Sequence, residues 1–430
     1  DLADAVASLA EAQRQSQRHD AAIASYQRAL ELREAALGGD HPDVAFAMAR
    51  LAGALGWQGR SKEALDLLRR AIAIKERAGE QDEEMLDVLG ITAVNLAQAG
   101  RFEEAIEINR RSVDLSAELL GALHPSTVIR ISNAGIFLHQ AYRSAEGLRL
   151  LDEAIERTER IKPETHPNLS YNRRWRARML QRLNRFDEAA IELEKAAAIT
   201  EAGGRSASME AVSNLYALGR WRLEFGHPSA HDAYAEGLAI ARERGAPDGP
   251  AVYAGKVGIG IALARRGDVT VAEELLREVV ERSNRTQKSV QWYARKELAT
   301  VLSRQGRFRE ADEQFERIFD EQEGDPDSPG AAAVEALIDR AAHHRRSGNY
   351  QRAQADARLA HDIASARLPA DSWIVALAEV ELARARLAQG SSAAARARLT
   401  DATERLRRSL HPDDPRVERL ETLTQVRSAL

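Results

Sequence analysis

The chain has 430 residues, a net charge of −5 and no cysteine, which excludes disulfides and thiolate metal sites. The near-neutral balance offers no bulk attraction to nucleic acid, so no nucleic-acid partner is expected, and no apolar run approaches the roughly 18 residues of a membrane-spanning helix. With 44% hydrophobic and only 5% aromatic residues, and Ala, Leu, Arg and Glu abundant, the composition favours helices.

Along the chain, one small residue recurs at a nearly constant interval: Ala22, Ala64, Ala105, Gly147, Ala189, Ala230, Ala272, Ala311, Ala353 and Ala395. Four residues later stands a bulky one in most units, such as Leu68, Leu151, Leu193 and Phe315, while Asn109 and Ala357 break the rule. A further small residue follows three positions on, as at Ala71, Ser112, Ala154 and Ala196. Offsets of four and seven put all three on one helix face, where small residues admit a close neighbour and the bulky one fills the space between. Ahead of each such helix lies another, marked by a large–small pair such as Leu51-Ala52 or Leu298-Ala299. Turn residues separate the two at Gly59, Gly100, Asn184, Gly226, Gly267, Gly306, Gly348 and Gly390. His-Pro at 41–42, 124–125, 166–167 and 411–412 marks where first helices begin, since Pro suits the first helical position. His227-Pro228 falls out of that frame, at the start of a second helix.

Each unit is thus an antiparallel helix pair with little core of its own, which must stack on its neighbours. Ten units occupy residues 1–412, and residues 413–430, with Val417, Leu420 and Leu423 at helical spacing, read as a capping helix. Segments 245–250 and 323–330 read as longer loops between units.

The stretch LGGDHPDVA at 37–45, LGALHPSTV at 120–128 and the GR-x-x-EA turns at Gly59 and Gly100 resemble the tetratricopeptide repeat, in its long variety of roughly 42 residues found in kinesin light chains and many bacterial proteins. The resemblance covers nearly the whole chain. It implies an all-α, right-handed solenoid whose first helices line a concave groove, and it implies no chemistry. Arg176, Arg222 and Arg340 depart from it, standing where an apolar residue is usual. Such arrays also follow bacterial serine/threonine kinase domains. The chain starts at Asp1 inside a helix, so it reads as a piece of a larger protein whose targeting or catalytic parts lie upstream. The compartment stays open between the bacterial cytoplasm and, for the sensor of a transmembrane kinase, the periplasm.

No nucleotide loop, zinc-protease or esterase motif occurs. The string GKVGIG at 255–260 is assigned to helix packing, because no strand precedes it. His227 and His231 lack further ligands nearby, and of the adjacent His343 and His344 one is expected packed and the other exposed. No metal and no cofactor are therefore expected. The distinctive stretch is YNRRWRARMLQRLNR, 171–185, in which Tyr171, Arg174, Arg178 and Arg182 share the face that the resemblance turns toward the groove. Tyr216, Arg220, Arg265, Lys296 and Arg304 stand at or near matching positions of later units. Two readings stay open: a basic groove floor recognising carboxylates or phosphates, or arginines paired internally with the abundant Glu. A second surface is expected in the early groove, where Phe46, Ala49, Gly53, Gly56 and Trp57 form a shallow apolar floor, unless Trp57 packs on the next unit.

The function expected is non-catalytic binding of a protein or peptide segment, acidic or phosphorylated, in the groove. The alternatives are the sensory region of a bacterial serine/threonine kinase and a self-assembling spacer.

Overall fold

The expected helix pairs form, and the signals that start and stop them are the local ones. In the computed structural model the described residues are 2–409, apart from 17, 162–163, 225–226, 228, 245–247, 284–287, 321–330, 369, 371 and 391–392. The segment expected to cap the array, 413–430, lies outside them, as do His411-Pro412, Gly226, Pro228 and the loop at 323–330. The described residues form an all-α solenoid, its helices falling into two compact units, Asp1–Lys162 and Pro163–Leu430.

The first unit holds four antiparallel pairs. These are α1 (Leu2–Gln15) with α2 (His19–Leu37), α3 (Pro42–Trp57) with α4 (Ser61–Ala78), α5 (Glu83–Gln98) with α6 (Phe102–Leu120), and α7 (Pro125–Gln140) with α8 (Ser144–Ile161). The second unit continues with α9 (Pro167–Arg182) and α10 (Phe186–Ala202), α11 (Met209–Glu224) and α12 (Ala230–Arg244), α13 (Pro250–Arg266) and α14 (Val269–Arg282). It ends with α15 (Lys288–Arg304) and α16 (Phe308–Asp320), α17 (Ala331–Arg346) and α18 (Tyr350–Arg367), α19 (Trp373–Gln389) and α20 (Ala393–Ser409). None of these helices is long and apolar enough to cross a membrane.

His41, His124 and His166 are N-caps: each Nδ1 accepts the backbone N–H two residues on, at 3.2 Å, with Pro as the first helical residue. Asp82 does the same work for α5, accepting from the Met85 N–H at 2.8 Å. The turn between partners needs a left-handed residue, which Gly59 supplies at φ 77° and Asn184 at φ 59°. The fourth pair carries Tyr142 there, at φ 65°, which explains why no turn Gly is readable in that unit. Gly390 departs from the expectation, its backbone being extended. The GR-x-x-E pattern has an electrostatic basis: Arg60–Glu63, Arg101–Glu104, Arg143–Glu146, Arg185–Glu188 and Arg307–Glu310 each close an ion pair of 2.5–2.7 Å across the first turn of the second helix. These pairs are exposed, so they steer the turn more than they stabilise the fold.

Packing follows the predicted face. Ala64, Leu68, Ala71, Ala105, Leu151, Ala154, Ala189 and Ala196 are all fully buried. Asn109, which breaks the apolar rule, donates from Nδ2 to the Arg130 carbonyl at 2.9 Å, so α6 grips α7 by a polar contact there. GKVGIG is helical and close-packed: a Cβ on Gly258 would lie 2.2 Å from the Tyr234 ring, and one on Gly255 2.3 Å from the Tyr216 hydroxyl.

Candidate functional site

The apolar floor expected in the early groove does not form. Ala49 is fully buried, Gly53 faces Ile91, and Gly56 has no room for a Cβ beside Asn95. That strip is where α3 meets α5. Phe46 packs half-buried against the same core, under the Arg50 guanidinium at 5.8 Å. Trp57, which was to pack on the next unit, is instead 61% exposed at the end of α3.

The second unit sorts its basic residues into two kinds. The first kind is paired. Glu192 on α10 is buried and draws Arg173 at 2.9 Å and Arg176 at 3.2 Å, so Arg176 at an apolar position is the half-buried partner of a buried carboxylate. Arg340 repeats the solution in the ninth pair, gripping Asp356 of α18 through two hydrogen bonds of 2.9 and 2.7 Å. Lys296 is buried among Glu297 at 3.0 Å, Asp339 at 3.2 Å and Glu335 at 4.0 Å. Desolvation opposes its charge, yet the three carboxylates hold it well above its ordinary value. Lys296 is thus corrected from a groove residue to an internal tie. Tyr216 is corrected as well: its hydroxyl donates to the Ala251 carbonyl at 2.9 Å, and its ring lies 5.6 Å from that of Tyr234. It packs among α11, α12 and α13. Arg265 is exposed and donates to the Leu223 carbonyl. Arg182, in the last turn of α9, is half-buried and engaged by neighbours.

The second kind has no carboxylate at ion-pair distance among the described residues: Arg174, Arg178 and Arg220. Arg178 lies 4.7 Å from the centre of the Trp175 ring, and Arg174 lies 5.8 Å from that of Tyr171. Tyr171, 40% exposed, meets Trp175 edge-on at 6.5 Å, so four side chains of one helix form an alternating cation–aromatic ladder. The Arg174 Nε is buried with no hydrogen-bond acceptor. Arg178 feels burial first and then the like charge of Arg220 on α11, and both depress its pKa. Tyr293 of α15, 44% exposed, acts electrostatically on both Arg178 and Arg220. Arg220 is exposed and is influenced by Tyr234 and Glu224, while Glu210 acts on Arg174 from longer range. Arg304 is exposed at the end of α15. Tyr293 was missed by sequence reasoning, because its only signal was position on a first helix.

His343 and His344 also correct an expectation. Both are buried, at 0% and 6% exposure, although adjacent residues on a helix point about 100° apart. The neighbouring helices α16 and α18 cover both directions. The His227 Nδ1 accepts from the Ser229 N–H at 3.2 Å.

Residues 1–77 match the tetratricopeptide repeat family. No curated protein matches the sequence. Among solved structures, a Rap protein complexed with Competence and Sporulation Factor aligns at 14% identity over 85% of this chain and 99% of that one, with a TM-score of 0.55. The apo form of RapI aligns at 15% identity over 67% and 100% of the two chains, with a TM-score of 0.49. A kinesin light chain of Podosopora anserina with nearly identical TPR-like repeats aligns at 22% identity over 48% and 94%, with a TM-score of 0.38. At such identities the likeness speaks to the fold. Residues 1–77 thus match tetratricopeptide repeats by sequence, and the same capped, turn-linked helix pair recurs at a 42-residue interval along the described residues.

Proposed function

We propose that the chain is a non-catalytic binding module whose second unit takes an acidic or phosphorylated peptide segment on the ladder formed by Tyr171, Arg174, Trp175 and Arg178, with Arg220 and Tyr293 in electrostatic range of it. The fold is consistent with a protein-binding scaffold. The observation that carries the finer reading is Arg178: a half-buried guanidinium that feels a second one and has an aromatic face where its paired neighbours have carboxylates. A cation so placed costs stability, and an anionic ligand removes that cost on binding. The planar fork suits carboxylate and phosphate oxygens, and the rings add contact area. That the Rap protein above is complexed with Competence and Sporulation Factor lends analogy only.

The test is fluorescence anisotropy with two labelled octapeptides, one of glutamates and one carrying phosphoserines. Wild-type protein binds at least one of them, more weakly as salt rises. The R174M/R178M double variant, its circular dichroism unchanged, binds about 10-fold or more weakly, as expected for lost charge-assisted hydrogen bonds. Equal affinity in a folded double variant overturns the proposal, and so does failure of the wild type to bind either probe.

A further inference from the structure

A second cluster, away from the arginine ladder, has the donor set of a metal site. Asp312 of α16 and His343 and His344 of α17 place one donor atom each within 4.8 Å of one another. The His343 Nε2 is 2.9 Å from the Asp312 Oδ1, and the His344 Nδ1 is 3.8 Å from the same oxygen. These spacings bracket the edge of roughly 3.4 Å expected between donors about 2.1 Å from a tetrahedral ion.

The outer nitrogen of each ring is held by a separate group. The His343 Nδ1 lies 3.1 Å from the Ser303 hydroxyl, and the His344 Nε2 lies 3.5 Å from the Asp356 carboxylate. Asp356 is fixed in turn by its bidentate pair with Arg340. Metal-binding histidines are oriented in this manner, the outer partner turning the inner lone pair toward the ion. With the Asp356 carboxylate on the Nε2 side, Nδ1 is the His344 atom turned toward Asp312. Phe308 and Phe315 flank the His343 ring at 5.9 and 5.5 Å and hold it in place. Access is from a cavity of about 320 Å³ lined by Asp312, Phe315, Arg340, His344 and Asp356, with the Asp312 side chain 39% exposed. That cavity leaves room for water as a fourth ligand.

We propose that Asp312, His343 and His344 bind one divalent transition-metal ion of the zinc class, which ties α16 to α17. Two imidazoles and one carboxylate suit zinc and its first-row neighbours better than calcium or magnesium, which take oxygen ligands.

The experiment uses the whole, untagged chain, stripped with chelator and then titrated with Zn²⁺ in equilibrium dialysis and with Co²⁺ in visible absorption. One Zn²⁺ per chain is expected, with affinity falling as pH drops and protons compete for the imidazoles. The thermal midpoint rises with Zn²⁺, and Co²⁺ gives the visible bands of a nitrogen- and oxygen-ligated, low-symmetry site. Asp312→Asn keeps the size of the side chain and an acceptor for His343. It is expected to weaken Zn²⁺ binding by about 30-fold or more and to abolish the thermal shift. His227→Gln, on an exposed helix start, changes neither. No saturable one-to-one binding by the wild type overturns the proposal, and so does D312N binding as tightly as wild type. The wild-type stoichiometry and Co²⁺ spectrum decide the matter even if a variant fails to fold.

Discussion

Replacing Arg178 by Met should stabilise the second unit while it removes ligand binding, and the two effects have opposite signs for one reason. Arg178 is half-buried on α9, its guanidinium lies 4.7 Å from the centre of the Trp175 ring, and the like charge of Arg220 acts on it. Removing water from an uncompensated cation costs several kcal/mol in a dry site, and partial exposure leaves about half of that. The Trp175 contact returns about 1 kcal/mol. Met keeps the stem's packing against Trp175 and lifts the repulsion from Arg220. The net expectation is a gain of about 1–2 kcal/mol, read as a rise of a few degrees in the thermal midpoint for a unit of this size. Differential scanning calorimetry and urea denaturation, followed by far-ultraviolet circular dichroism, measure it on the purified chain. A loss of more than about 1 kcal/mol would refute the reasoning, because it would mean that Arg178 is an internal ion-pair partner like Arg340.

Two further predictions rest on the paired residues. Lys296→Met should act in the other direction, lowering the unfolding free energy by about 2–3 kcal/mol, because Glu297, Asp339 and Glu335 then face one another without their cation. A neutral result by urea denaturation would count against the tie. Arg307, and after it Arg277, hold the Glu310 carboxyl down to about 2 from its ordinary 4.5. The unfolded chain therefore binds the extra proton first, so the contribution of Glu310 is complete above about pH 4.5 and is lost as pH falls toward 2. Glu310→Gln should flatten the acid limb of the midpoint-versus-pH curve over that window, and an unchanged limb would show that the pair does not contribute.

What the sequence determined by itself was everything governed by short range along the chain. The period, the small–bulky–small face of Ala64, Leu68 and Ala71, the His-Pro helix starts and the turn residues Gly59 and Asn184 all report helix geometry and backbone conformation within a few residues. Those forces do not depend on what lies across the next helix, so the repeat was legible without the structure. The charged residues were legible only as a class. Arg173, Arg174, Arg176 and Arg178 are near neighbours on one helix of like composition. Only tertiary structure decides that Glu192 takes Arg173 and Arg176, while Arg174 and Arg178 are left to Tyr171 and Trp175. The same holds for Lys296, tied to Asp339 43 residues away, and for Asp312, brought to His343 from 31 residues away. The strength and sign of a charge interaction depend on distance and burial across helices, and helical spacing fixes neither. Sequence thus set the scaffold, and the packing of neighbouring helices against α9 decided which of its cations are paired with a carboxylate.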